Sequence, residues 1–270
     1  MTERRQLAVI AGLSVGTLTC FGGLLLCPHR TDCLNALARL DTWVSAGTTI
    51  ALPLVVASLA VWLARLGWRL MRVGFHLRLI PRSQQLPPAL IAAVTRTGAG
   101  TVGCLAADEP TAFCAGALRP RILVSEGLVN RLGPEELDAV LLHEREHART
   151  FEPLIRAAHG AAADVFFYVS LVRWWSSRRL EDSELRADRV ALDRLGPRPV
   201  AGALWALARN TAIVGAAAFA GVAQLRVAQV LGDPVPARAP GLALVAISAL
   251  GIYLAFQVAA CLVQATHHFV

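Results

Sequence analysis

Three long stretches of this sequence contain no charged residue, and they constrain its fold more than any other feature. Residues 7–27 and 44–64 are each 21 residues long, and residues 242–263 are 22 long. Because about 20 apolar residues in a helix span the hydrocarbon core of a bilayer, each stretch predicts a transmembrane helix. Only 17% of the residues are charged and 55% are hydrophobic, whereas soluble domains are about 25% charged. The composition therefore excludes a soluble enzyme with a single core and a disordered chain.

The distribution of arginine predicts how these spans are oriented. The second span is followed by five arginines: Arg65, Arg69, Arg72, Arg78 and Arg82. The loop between the first two spans carries only Arg30 and Arg39, beside two aspartates. Since positively charged flanks stay in the cytoplasm, we expect a multi-pass protein of the cell membrane whose central part is cytoplasmic. The net charge is +7, but the arginines form no stripe with interleaved aromatics, so we expect no direct nucleic-acid binding.

The predicted organisation has three parts. Residues 1–82 form a transmembrane hairpin with a basic cytoplasmic flank, residues 83–238 form a cytoplasmic domain, and residues 239–270 form a C-terminal transmembrane helix with a short tail. Within the hairpin, Cys27 and Cys33 bracket a short loop, and their pairing stays open.

The central part contains both strand and helix signals. Residues 101–106 and 121–125 have strand-like composition. A helix is predicted to begin near Pro134, where two acidic residues fall in its first turn. Residues 200–222 are apolar but carry Arg209 in the middle of the run, which is costly inside a bilayer. We therefore favour two packed helices there, and a fourth span is the alternative.

The helix that begins near Pro134 carries the sequence His143-Glu144-Arg145-Glu146-His147, an HExxH motif. Two histidines four residues apart on a helix point the same way and can bind one metal ion, for which zinc is well suited. Glu144 projects beside that ion, where it can accept a proton from the attacking water. We interpret Arg145 and Glu146 as solvated residues.

A second helical segment offers the third protein ligand that a catalytic zinc requires. Glu184 and Asp188 lie one turn apart on it and share a face. Glu184 can complete the ligand set, and Asp188 can hold the far ring nitrogen of a ligating histidine. The neighbouring charges, Glu181, Asp182 and Arg186, fit an ordinary solvated face. Together the two helices form the gluzincin pattern.

The sequence around these motifs resembles the BlaR/MecR-type integral membrane metallopeptidases. The blocks that carry the resemblance are residues 113–116, 119–128, 134–137, 143–147 and 184–188, with a weaker echo at 226–231. The same blocks are similar to HtpX-type and CAAX-prenyl-protease-type membrane peptidases. The arrangement of spans before the catalytic part, with one after it, favours the BlaR/MecR type.

The resemblance implies one Zn²⁺ per chain, with His143, His147 and Glu184 as ligands and Glu144 as the general base. It also implies an edge strand against which a peptide substrate lies: Ala112, Phe113, Cys114, Ala115 and Gly116. The expected fold is a mainly α membrane protein, with about three transmembrane helices around a cytoplasmic α+β gluzincin-type zinc peptidase domain that contains a small β-sheet.

The function implied is a regulatory endopeptidase that cleaves a cytoplasmic transcriptional repressor, for which a winged-helix protein is the expected partner. One alternative is an HtpX-like quality-control protease for membrane proteins, and another is a non-catalytic membrane signalling or scaffold protein that keeps the fold. BlaR/MecR-type sensors continue into an extracellular penicillin-binding domain, whereas this sequence stops at Val270, so we expect no such sensor.

Residues 157–175 test this interpretation because they are apolar and lie between the HExxH motif and Glu184. If they crossed the membrane once, the two halves of the metal site would face opposite compartments. They are therefore predicted to be a domain helix, a helix lying in the membrane interface, or half of a hairpin, and their aromatic residues favour the interface. His159 and Asp164 are interpreted as polar positions on this segment rather than as ligands.

Overall fold

A computed structural model describes residues 40–208, 216–235 and 238–268 of the chain, and most of these residues are helical. The described helices are α1 (Leu40–Leu79), α2 (Pro88–Thr97), α3 (Glu126–Val129), α4 (Pro134–Arg149), α5 (Glu152–Val165), α6 (Ser170–Leu195), α7 (Pro197–Ala208), α8 (Ala216–Leu231) and α9 (Leu242–His268). The strands are β1 (Val102–Leu105), β2 (Ala112–Ala115) and β3 (Arg121–Ser125). The fold is thus mainly helical with one small mixed sheet, as the sequence predicts.

The described residues divide into two compact units. One contains the residues up to Arg65, Ala161–Trp175 and those from Ala239 onwards. The other contains Leu66–Gly160 and Ser176–Arg238, and it holds the sheet and all the motifs identified above.

Two helices in the described part of the chain are long and apolar enough to cross a membrane. Their candidate spans are Leu52–Leu79 within α1 and Leu242–Ala259 within α9. They correspond to the second and third predicted spans, whereas the first, residues 7–27, lies outside the described residues. Helix α1 does not end at residue 64 but continues to Leu79, so the basic flank is a continuation of the same helix.

The sheet has the strand order β1–β3–β2. Strand β1 is parallel to β3, and β2 is antiparallel to it. The strands predicted at residues 101–106 and 121–125 are therefore present. Strand β2 lies at the edge and ends at Ala115, because Gly116 adopts a φ of 102° that favours glycine and turns the chain.

Helix α4 is buried along one side against the sheet and helices α2 and α7. Leu137 and Leu141 are at most 1% exposed, and full burial of such a side chain contributes about 1.5–3 kcal/mol. Pro134 starts the helix, and the Glu136 carboxylate accepts a hydrogen bond from the Gly133 backbone N–H. Arg96 of α2 makes a bidentate ion pair with Asp138. These contacts fix the helix that carries the HExxH motif.

The structure bears on three further interpretations made from the sequence. Residues 157–175 are not one helix, because α5 ends at Val165 and α6 begins at Ser170. Residues 200–222 contain the end of α7 and the start of α8, in agreement with two helices, although 209–215 lie outside the described residues. Glu146 is not solvated: it is 5% exposed and is paired with Arg149 and Arg186.

Candidate metal centre

The two histidines of the HExxH motif face one another on α4. Both are buried, and their Nε2 atoms lie 3.0 Å apart. This geometry follows from the four-residue spacing, which places two side chains one above the other on a helix. The His147 Nδ1 atom is buried without a hydrogen-bond partner among the described residues, so the contacts of its ring are on the Nε2 side.

Glu184 of α6 completes a triangle of donor atoms with these histidines. Its Oε2 atom lies 3.4 Å from the His143 Nε2, and its Oε1 atom lies 3.6 Å from the His147 Nε2. The three side chains offer donor atoms that all lie within 4.8 Å of one another. The structure therefore brings together all three residues that the sequence predicts as metal ligands.

Asp188 lies behind this triangle, one turn further along α6. Its Oδ1 atom is 2.7 Å from the Nδ1 of His143. A hydrogen bond from that Nδ1–H directs the opposite nitrogen, Nε2, into the triangle. Asp188 thus occupies the supporting position predicted for it.

Arg226 of α8 holds both carboxylates from the other side. Its Nε and Nη2 atoms lie 2.6 and 2.7 Å from the two oxygens of Asp188. Its Nη1 atom lies 3.1 Å from the Glu184 Oε2. No motif in the sequence indicates a role for Arg226, and the only signal was its position at the start of the weak echo at 226–231.

Arg156 of α5 is the second cation at Glu184, and nothing in the sequence pointed to it. Its Nη2 atom lies 2.5 Å from the Glu184 Oε1, and its Nε atom lies 3.4 Å from the buried carboxylate of Glu152. Phe151, between α4 and α5, has a φ of 52°, in the left-handed region that non-glycine residues rarely adopt. This sharp turn brings the first turns of α5 back to the triangle.

The electrostatics of the cluster keep one histidine neutral. Burial lowers the pKa of His143, but the hydrogen bonds that its ring donates to the carboxylates of Asp188 and Glu184 outweigh burial and raise that pKa to about 9. Burial and the charge of His143 lower the pKa of His147 to about 3. Burial opposes the ionised form of Glu184, but contacts with His143 and Arg226 hold its pKa well below the usual value. At neutral pH and without a metal ion, Glu184 is therefore a carboxylate, His147 is a neutral imidazole, and His143 carries a proton that a bound metal ion would displace.

Glu144 faces a cavity of about 480 Å³ that the triangle also lines. Burial raises the pKa of its carboxyl group, and the charge of Glu184 adds to the effect. The cavity has an apolar wall formed by small and aliphatic side chains of α4, α6 and α7: Ala139, Val140, Ala191, Val200, Ala203, Leu204 and Leu207.

The edge strand borders the same cavity. Ala112, Phe113 and Cys114 line it, whereas Ala115 and Gly116 do not. Strand β2 pairs with β3 on one side, and no strand lies on its other side in the described ranges. Burial raises the pKa of the Cys114 thiol to about 12, so Cys114 is a neutral side chain rather than a thiolate.

The donor set fits a zinc ion. Ligands at about 2.0–2.2 Å from a tetrahedral zinc lie roughly 3.3–3.5 Å apart, and the observed separations are 3.0, 3.4 and 3.6 Å. Two imidazole nitrogens and one carboxylate form a set typical of catalytic zinc sites, which leave the fourth position open. His143, His147 and Glu184 all line the cavity, so an ion held by them would be open to it.

One family of known proteins matches the sequence of this chain. The sequence model of the BlaR1 peptidase M56 family matches residues 43–200, which is more than half of the chain and includes the HExxH helix, Glu184 and Asp188. No curated protein matches the chain. The family is one of metallopeptidases, and the two candidate membrane helices agree with a membrane-associated member. The chain belongs to the BlaR1 peptidase M56 family.

Proposed function

We propose that this chain is a membrane-associated zinc endopeptidase whose single zinc ion is held by His143, His147 and Glu184. The observation that carries the proposal is the triangle of donor atoms from two helices, with Asp188 hydrogen-bonded behind His143. The family match supports a metallopeptidase, and the donor set supports zinc rather than a metal that prefers only oxygen.

The residues around the cavity can carry out hydrolysis in two steps. Zinc, when bound, lowers the pKa of water and polarises a carbonyl group. Glu144 accepts one proton while the water oxygen bonds to the scissile carbonyl carbon. The carbon–nitrogen bond then breaks as Glu144 returns that proton to the leaving amine. Asp188 holds the ring of His143 in a fixed orientation throughout.

The cavity favours a peptide in extended conformation. An extended chain can pair with the free edge of β2, since main-chain hydrogen bonds of this kind give affinity without selecting a sequence. The apolar wall beside Glu144 suits an aliphatic or aromatic side chain next to the scissile bond. We therefore propose that the substrate presents an apolar residue at that position in an unfolded or extended segment.

We propose a regulatory role, in which the substrate is a cytoplasmic repressor of winged-helix type. The positions of the arginines after the second span support a cytoplasmic catalytic domain. A quality-control role is distinguished from it by the range of substrates, because a quality-control protease cleaves many unfolded membrane proteins and a regulatory protease cleaves few.

The full-length protein in detergent tests the proposal directly. Elemental analysis is expected to find one zinc ion per chain. Removal of the ion with a chelator is expected to abolish cleavage of β-casein, and added zinc is expected to restore it. Protein that folds but binds no zinc contradicts the proposal and favours a non-catalytic membrane protein.

Replacement of Arg226 tests whether its contacts with Asp188 and Glu184 help the ligands to bind zinc. Arg226→Gln is expected to lower zinc affinity by roughly 10- to 100-fold, the usual cost of losing a partner behind the ligands. Arg226→Lys is expected to recover little, because an ammonium group cannot bind both oxygens of Asp188 as a planar guanidinium does. Competition with a fluorescent zinc chelator measures the affinity.

Arg189→Gln is the matched control for this measurement, since Arg189 lies exposed on α6 next to Asp188 but does not line the cavity. If Arg226→Gln binds zinc as tightly as the wild type does, Arg226 does not support the ligands.

A further inference from the structure

Hydrolysis of a peptide bond places a negative charge on the carbonyl oxygen, and the cavity contains side chains that can meet it. Among the described residues, two arginines line the cavity, Arg156 and Arg226. A preorganised cation or N–H donor aimed at this oxygen is often the largest single contribution to catalysis. The two arginines differ in how much of their hydrogen-bonding capacity is already used.

Each nitrogen of the Arg226 guanidinium already has a protein partner. Its Nε and Nη2 atoms bind Asp188, its Nη1 atom binds Glu184, and its side chain is 19% exposed. The Arg156 side chain is 43% exposed, and its Nε and Nη2 atoms bind Glu152 and Glu184. The Nη1 of Arg156 has no partner within the part of the chain that the structure describes. It is thus the guanidinium with an uncommitted donor group.

Arg156 lines the same cavity as the edge strand, Glu144 and the donor triangle. Its charge acts on the Cys114 thiol of β2, on the carboxyl group of Glu144 and on the ring of His147. A peptide paired with β2 would enter the cavity that these same groups line. Glu152, which is 3% exposed, pairs with the Nε atom and so anchors the near end of the guanidinium.

We propose that Arg156 is a catalytic residue of this peptidase, whose Nη1 group donates a hydrogen bond to the oxyanion formed on the scissile carbonyl. The proposal rests on the proposed zinc endopeptidase function. The bond from water to carbon forms as the carbonyl π electrons move onto oxygen, and Arg156 stabilises that charge. When the carbon–nitrogen bond breaks, the electrons return to restore the carbonyl, and the hydrogen bond weakens. No proton leaves the guanidinium at any stage.

Kinetics of Arg156→Gln test this role in full-length, zinc-loaded protein. The substrate is a quenched fluorescent peptide built on a site that the wild type cleaves in β-casein. We expect kcat to fall by about 10²- to 10³-fold, as when an oxyanion donor is removed elsewhere, while KM changes little. Arg156→Lys is expected to recover part of the loss, since it keeps the charge without the planar fork.

Two binding measurements separate catalysis from a structural role. A phosphinic peptide, in which a tetrahedral anion replaces the scissile amide, is expected to lose affinity for Arg156→Gln by about the same factor as kcat. Because Arg156 also pairs with Glu184, zinc affinity is measured on the same variant, and kcat and inhibitor affinity are compared at saturating zinc. Arg149→Gln is the control, because Arg149 also pairs with a buried glutamate but is exposed and does not line the cavity.

The outcomes distinguish the two proposals. If Arg156→Gln keeps its kcat, or loses activity only in proportion to lost zinc, Arg156 is not the oxyanion donor even though the enzyme is a zinc peptidase. If the folded wild type takes up no zinc and cleaves no peptide, the proposed function fails, and the role of Arg156 fails with it.

Discussion

Glu144→Gln is expected to abolish peptide cleavage while leaving zinc bound. Glutamine has nearly the same shape as glutamate but cannot accept a proton at neutral pH, so the attacking water keeps its proton. Loss of a general base typically costs roughly 10²- to 10⁴-fold in rate. Glu144 makes no hydrogen bond to the ligands and faces the cavity, so the donor triangle should survive the change. Cleavage of β-casein and zinc content, measured on one preparation, check both expectations.

Glu135→Gln is a suitable control because Glu135 lies exposed at the start of the same helix, away from the cavity. It should retain both activity and zinc. Proteolysis at the wild-type rate by the Glu144→Gln variant would refute the role of this carboxylate. Loss of zinc along with activity would instead mean that Glu144 supports the metal site.

The same variant can identify the substrate in cells. A protease that binds but does not cleave its substrate leaves that protein intact, so comparison of the proteomes of wild-type and Glu144→Gln cells shows which proteins are cut. If the protease is regulatory, we expect one shortened repressor and changed levels of the proteins whose genes that repressor controls. If the protease acts in quality control, we expect many membrane proteins to accumulate in the Glu144→Gln cells.

The ligand set could be predicted from the sequence because helix periodicity determines it. A spacing of four residues places His143 and His147 on one face whatever surrounds the helix, and the same holds for Glu184 and Asp188. The two arginines could not be predicted in this way. Arg156 and Arg226 reach Glu184 from two other helices, and only tertiary packing brings those helices to it.

Charge patterns predict the wrong environment for a residue when tertiary packing gives it an ion-pair partner. Glu146 looks like a solvated residue because it follows Arg145 on a polar face, yet it is buried and paired with Arg149 and with Arg186 of α6. A buried carboxylate is tolerated when cations from neighbouring elements compensate it. The break between α5 and α6 could not be predicted for a different reason. It falls in an aromatic stretch without glycine or proline, so the sequence contains no local signal for it.

Glu184→Ala is expected to have the largest effect on the metal. It removes one of three protein ligands, so the loss of zinc affinity should exceed the roughly 10- to 100-fold cost of losing a partner behind the ligands. It also removes the carboxylate that Arg156 and Arg226 share. Arg226 keeps Asp188 and Arg156 keeps Glu152, but each guanidinium group beside the remaining histidines loses one of its two compensating carboxylates. Their charge opposes the binding of a divalent cation by simple repulsion.

Zinc content after dialysis and affinity by chelator competition measure this loss, and the far-ultraviolet circular dichroism spectrum shows whether the fold is retained. Asp182→Ala is the matched control, since Asp182 is an exposed acidic residue two positions earlier on α6. Glu184→Gln refines the result: an amide keeps the shape and removes the charge, so an intermediate affinity is expected. If Glu184→Ala retains zinc at the wild-type affinity, the ion is not bound by both helices, and the distances within the triangle have another cause.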